Sequence, residues 1–188
     1  MTPELKNLFE LFPDLSLAKA ENALYKNYRY SEPHLVSCSD NFSGEEKEEV
    51  LVIRDKDQPL GVVSMLIRGN SNKPVPPKSY ARLDLVIVDK KYRNLGIGHL
   101  LIVCALLFIL RTWKQQIYSI SCLAGHGTVE KFLKELSFQD HARKEKNYWQ
   151  GTLSLIENSP EALIEIYLEK AKICLKWTAD QLKKRVPL

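Results

Sequence analysis

No Cys-x-x-Cys pair occurs in this chain, and its cysteines, Cys38, Cys104, Cys122 and Cys174, lie far apart. That spacing excludes a zinc ribbon and a thioredoxin-type redox site. Three of the four sit in apolar runs, where a free cysteine acts as a small buried hydrophobe. The expected setting is therefore a reducing compartment, the cytoplasm. No apolar run is long enough to span a bilayer. The best candidate, Leu100 to Leu110, stays short of the roughly 20 residues needed even with Gly96 to His99 added. Met1 to Lys6 has no basic start followed by an apolar core, so no signal peptide is expected. There is no repeat, no low-complexity tract and no large charge excess. The net charge is +4 in 188 residues, with basic and acidic side chains interleaved, so neither a nucleic-acid nor a membrane partner is indicated. The length suits one domain with a substantial core.

What is present centres on Ala81 to Trp113. Leu83 to Val88 is a Val- and Ile-rich run broken only by Asp84, which suits a buried strand. A short basic turn, Asp89 to Tyr92, follows. Then Arg93-Asn94-Leu95-Gly96-Ile97-Gly98 leads into a long apolar stretch that reads as a buried helix. Strand, glycine turn and helix together can hold a phosphate. The first amides of a helix lack partners within it, and its dipole favours negative charge there. Gly96 and Gly98 remove side chains that would bar the approach, and Arg93 adds a charged donor. A dinucleotide fingerprint is not met, because Leu101 stands at the third glycine and Tyr118 to Cys122 holds no acid. No Gly-Lys-Ser/Thr follows, so a Walker P-loop is excluded.

The rest of the chain frames that stretch. Thr2-Pro3-Glu4 caps a first helix carrying Leu5, Leu8, Phe9 and Phe12, which Pro13 ends. Leu15, Leu17, Ala18, Ala20, Ala23, Leu24 and Tyr28 suggest a second helix. His34 to Ser37 is a candidate short strand, and acidic Asn41 to Glu49 reads as a loop. Glu49 to Arg54 and Leu60 to Arg68 form a predicted hairpin around Asp55 to Pro59. Gly69 to Ser79, with three prolines, is a loop. Gln116 to Cys122 is a strand, Gly125 to Leu136 an amphipathic helix, and Phe138 and Tyr148 to Ile156 begin the last strands. Ser159-Pro160-Glu161 opens a final helix that ends in Lys183-Lys184-Arg185. The alternation requires a mixed α/β sheet with helices packed on it. The division expected is a domain over 1–156 and, over 157–188, an amphipathic helix packed on it or at a homodimer interface.

The spacing Arg93-x-x-Gly96-x-Gly98 after a Val-rich strand resembles the acyl-CoA signature of the GNAT superfamily of N-acetyltransferases. Val88, Asp89, Tyr92, Arg93, Gly96, Ile97, Gly98, Leu100 and Leu101 approach its fuller pattern. The leucine pair sits one place early, and His99 stands where the family often has an apolar or small residue. The resemblance covers roughly residues 33 to 155. It implies a GNAT-like mixed-sheet fold with N-terminal helices and an added C-terminal helix. It also implies acetyl-CoA as co-substrate, no metal, and transfer of acetyl to a primary amine of a small molecule or peptide. By the same resemblance, the backbone of Val86 and Val88 holds the acyl and pantetheine portion. Arg93, Asn94, Leu95, Gly96, Ile97, Gly98 and His99 hold the pyrophosphate.

A base is needed because an amine is mostly protonated at neutral pH. Family members often take it from the strand before the turn, where Arg82 and Asp84 stand. Arg82 stays charged and cannot serve, which leaves Asp84. Its bland role is an ion pair with Arg82 or Arg68. The family's later helix carries Asn-x-x-Ala-x-x-x-Tyr, and the matching places hold His126, Val129 and Leu133. His126 is thus a candidate contact to the acyl-CoA, and Leu133 replaces the acid that would protonate the leaving thiolate. That replacement keeps a second reading open, a catalytically degenerate acyl-CoA-binding or protein-interaction module.

Overall fold

The long apolar stretch forms a helix, Ile97–Trp113, and every residue from Leu100 to Leu110 is buried. A helix apolar on all sides needs protein on all sides, and the sheet and a second long helix supply it. The computed structural model describes residues 1–19, 46–68, 80–113, 117–124, 127–140 and 149–185. The described elements run α1 (Pro3–Glu10), β1 (Leu15–Lys19), β2 (Glu46–Asp55), β3 (Gln58–Arg68), β4 (Tyr80–Val88), a 3-10 turn (Lys90–Tyr92) and α2 (Ile97–Trp113). After these come β5 (Ser119–Ala124), α3 (Gly127–Glu135), β6 (Gln139–Asp140), β7 (Trp149–Ser154) and α4 (Pro160–Arg185). The strands make one mixed sheet in the order β1-β2-β3-β4-β5-β7-β6. All its pairings are antiparallel except β4 with β5.

The predicted hairpin is β2 and β3, and its side chains divide by the period-two rule. Leu51 and Ile53 join the main core under α2, while Val50 and Val52 join a smaller cluster on the opposite face with Val62, Leu85 and Ile87. Thr2 caps α1 as expected, accepting from the Leu5 amide at 3.4 Å, and Pro3 opens the helix. Two expectations are corrected. Leu15–Lys19 is a strand, not the start of a second helix, because it pairs with Leu51 to Asp55 of β2. The remainder of that second helix and the strand expected at His34 to Ser37 lie outside the described residues. Glu46 to Glu49 belongs to β2 and not to a loop. Glu49 is buried there, held by Lys19 at 2.7 Å and Lys47 at 2.9 Å.

The pairing of β4 positions the site. On its β3 side, Ser64 faces Leu85 and Met65 faces Leu83, so Asp84 is the extra residue of a bulge. On its β5 side, parallel pairing runs only from Tyr80–Ser119 to Leu83–Cys122. Both strands continue past this point, β4 to Val88 and β5 to Ala124, without pairing to each other. The sheet therefore splays open at Asp84. Helix α4 packs along α2 and buries Leu163, Ile164, Tyr167, Ala171 and Leu175 in the same core. The Tyr167 hydroxyl donates to the Leu136 carbonyl at 2.7 Å. Among the described residues, no helix is long and apolar enough to cross a membrane.

Candidate acyl-CoA site

Beyond the last β4–β5 pair lies a cavity of about 730 Å³. Its walls come from four places. Strand β4 gives Val86 and Val88. The turn and the start of α2 give Tyr92, Arg93, Asn94, Gly96, Ile97, Gly98, His99 and Ile102. Helix α3 gives Thr128 and Val129, and helix α4 gives Ile173, Cys174 and Trp177. A volume of this order suits a ligand of cofactor size.

The turn is built for close backbone approach. Asp89 caps the 3-10 turn by accepting from the Lys91 amide at 2.8 Å. Asn94 and Gly96 adopt left-handed φ of 64° and 80°, a conformation that asparagine and glycine tolerate best. The first bond of α2 runs from the Leu100 amide to the Gly96 carbonyl at 3.0 Å. The amides of Ile97, Gly98 and His99 precede it, so the helix itself does not use them. A side-chain carbon at Gly98 would meet nothing nearer than Val88 Cγ2 at 3.7 Å, so the space in front of Gly98 is open. Arg93 reaches back to the strand, its Nε 3.5 Å from the Val88 carbonyl. This donor set of early helix amides and a guanidinium fits an anionic pyrophosphate, and the apolar cleft from Val86 to Val88 fits a thin aliphatic arm.

Most residues expected at the site line this cavity: Val86, Val88, Arg93, Asn94, Gly96, Ile97, Gly98 and His99. Leu95 does not line it. Its side chain is buried and its carbonyl accepts from the Thr178 hydroxyl at 3.0 Å. Asp84 is also outside the lining. It is 2% exposed at the apex of the splay, 3.0 Å from the Arg82 guanidinium. His126 lies outside the described residues. Leu133 is fully buried at 0% exposure. The His99 ring stacks on Phe132, with centroids 4.0 Å apart and planes at 12°. Burial holds its pKa below the usual 6.5, partly offset by the charge of Glu135. Cys174 is pushed up to about 11 by burial, with Lys170 opposing, so it faces the cavity as a neutral thiol. Cys104, Cys122 and Cys174 are free, and Cys38 lies outside the described residues. Among the described residues, no group of three or more His, Cys, Asp or Glu is placed to hold a metal.

The α4 wall carries no local signal in the sequence. Ile173, Cys174 and Trp177 come from a helix more than 70 residues after the turn, and no spacing links them to it. Thr128 and Val129 do carry a signal, since they sit in the helix that occupies the place of the family's Asn-x-x-Ala-x-x-x-Tyr helix.

The family model for the GNAT acetyltransferases matches residues 15–122, more than half of the chain. A comparison with curated proteins finds no match. Among solved structures, the chain is similar to a mutant of the AtaT toxin bound to the C-terminus of the antitoxin AtaR and acetyl-CoA. The identity is 12%, the TM-score 0.51, and 82% of this chain and 98% of that one are covered. It is similar to a chain of the KacTA–DNA complex at 13% identity and a TM-score of 0.51, covering 82% and 99%. It is also similar to a chain of the NatC complex bound to Gag peptide and CoA, at 12% identity and a TM-score of 0.53, covering 76% and 99%. At such identities the likeness concerns the fold. With its mixed sheet, its splay at β4 and β5 and its glycine turn, the chain belongs to the GNAT family of acetyltransferases.

Proposed function

We propose that this protein is an acetyl-CoA-dependent N-acetyltransferase that moves an acetyl group from the CoA thioester to a primary amine. One observation carries the reading. Strand β4 beyond its last pair with β5, at Val86 and Val88, lines the same cavity as the turn of Arg93 to Gly98. The acyl and pantetheine portion runs along Val86 and Val88, and the pyrophosphate meets the amides of Ile97, Gly98 and His99 beside Arg93. Attack by the amine nitrogen on the thioester carbon develops charge on the carbonyl oxygen, which fixed backbone N–H groups stabilise. Asp84, at the apex of the splay, accepts the amine proton through water. The thiolate departs as the carbon–sulfur bond breaks. Acetyl-CoA bound to the AtaT mutant and CoA bound to the NatC complex, both of similar fold, support an acyl-CoA ligand, and the acceptor is a small-molecule or peptide amine.

Leu133 favours a second reading. A buried leucine where the family carries tyrosine cannot protonate the leaving thiolate, as expected of a CoA-binding module without turnover. Acetyl-CoA presented with a panel of small amines and amine-bearing peptides, with released thiol as readout, separates the two. Amine-dependent thiol release supports the enzyme. Tight CoA binding with no release above hydrolysis supports the module.

A further inference from the structure

Helix α4 lies beyond the segment that matches the family model, yet its C-terminal half is fastened to the phosphate-ready turn. The Thr178 hydroxyl bonds the Leu95 carbonyl, and the Arg185 guanidinium bonds the Lys91 carbonyl. Beside the first of these contacts, the indole of Trp177 lies over Gly96, with Cδ1 2.8 Å from where a side-chain carbon would stand. Trp177 is nevertheless 55% exposed and its neighbour on the helix face, Ile173, 58%. Both line the cavity. An indole and an isoleucine left open on a helix whose other face is fully buried form an unfilled apolar wall.

The order of contacts along the cavity gives that wall its occupant. Val86 and Val88 lie at the splay, Val88 touches the open space at Gly98, and Gly96 follows with Trp177 over it. A CoA molecule laid with its thioester at the splay and its pyrophosphate on the Ile97–His99 amides reaches Trp177 with its next portion, the adenosine. We propose that Trp177 is the platform on which the adenine ring of CoA stacks. Every base has a flat face that an aromatic side chain can cover. This assignment rests on the acyl-CoA reading of the cavity and adds a CoA-contacting residue from outside the matched family segment.

The test is calorimetry of the full chain with CoA and with 4′-phosphopantetheine, which lacks the whole 3′-phospho-AMP half, in wild type, Trp177→Phe and Trp177→Ala. Trp177→Ala should weaken CoA by roughly tenfold or more, as the loss of one base stack implies, and leave phosphopantetheine unchanged. Trp177→Phe, which keeps a ring and the packing, should fall between. CoA should also quench tryptophan emission in wild type and not in Trp177→Phe, where Trp113 and Trp149 remain. Equal CoA affinity in wild type and both variants overturns the platform while leaving the acyl-CoA site intact. So does an equal loss for both ligands, or a change only in oligomeric state. A wild type that binds neither ligand overturns the site and the platform together.

Discussion

The hydroxyl of Thr178 donates to the carbonyl of Leu95 at 3.0 Å, joining residues 83 positions apart. Both groups are buried, so the bond pins the glycine turn from behind. Thr178→Val keeps the volume and removes the donor. A buried carbonyl left without its partner costs about 1–3 kcal/mol. In a chain of this size that lowers the melting temperature by roughly 2–4 °C per kcal/mol. CoA affinity should fall with it, because the turn loses a fixed point. An unchanged melt and unchanged affinity would show that the turn holds itself.

Gly96 carries two demands at once, a φ of 80° and the indole of Trp177 where a side-chain carbon would stand. Gly96→Ala should cost about 1–3 kcal/mol from the left-handed backbone and the contact together. Adding Trp177→Ala relieves the contact and not the backbone. A chemical-denaturation cycle should therefore find the double variant less destabilised than the sum of the singles. Strict additivity would count against the contact.

Gly98 has no left-handed φ to protect and open space in front of it. Gly98→Glu should fold normally. A carboxylate in the first turn of α2 even favours the helix. The same carboxylate covers the amides and repels a pyrophosphate. The expected pairing is an unchanged or raised melting temperature with CoA binding lost by calorimetry. Retained affinity would remove the turn from the site.

His99 sets a pH signature. Burial lowers its pKa below 6.5 in the folded chain, so the unfolded chain takes up the proton first as pH falls. The stability tied to neutral His99 is present in full above pH 6.5. It is lost as pH drops from there through the folded value. His99→Phe keeps the stack on Phe132 and removes the titration. Melts of the two proteins across that interval should diverge, with the wild type losing more. Parallel curves would place the imidazole in water.

The strand, turn and helix from Leu83 to Leu110 were legible because their signals are local: a β-branched run, two glycines and an unbroken apolar helix. The hairpin of β2 and β3 was legible for the same reason. Its turn at Lys56 and Asp57 is compact, and Lys56 takes a left-handed φ of 51°. Leu15–Lys19 was not, since Leu15, Leu17 and Ala18 fit either period until β2 lies alongside. Nor was the acidic start of β2. Glu49 enters a strand only because Lys19 and Lys47 meet its carboxylate. Burial raises its pKa and those two partners outweigh it, leaving the net value lowered. The α4 wall was illegible on any local rule. Ile173 and Trp177 look like a surface stripe until the fold sets Trp177 over Gly96.

Asp84 combines a bulge, an ion pair and the apex of the splay, and two substitutions separate what each contributes. Asp84→Asn keeps the shape and removes the basicity. Arg82→Met removes the partner and keeps the carboxylate. Breaking a buried pair destabilises by about 3–5 kcal/mol, so both variants should melt lower. They should part in turnover. If Asp84 accepts the amine proton, kcat per folded molecule falls roughly 10²–10⁴-fold in Asp84→Asn. CoA affinity should hold, since the carboxylate does not line the cavity. Arg82→Met should keep most of its turnover once corrected for folded fraction. Equal turnover in the two variants would assign Asp84 to the ion pair alone. The proton would then have to leave through solvent or through the imidazole of His99, a titratable ring in the wall of the cavity.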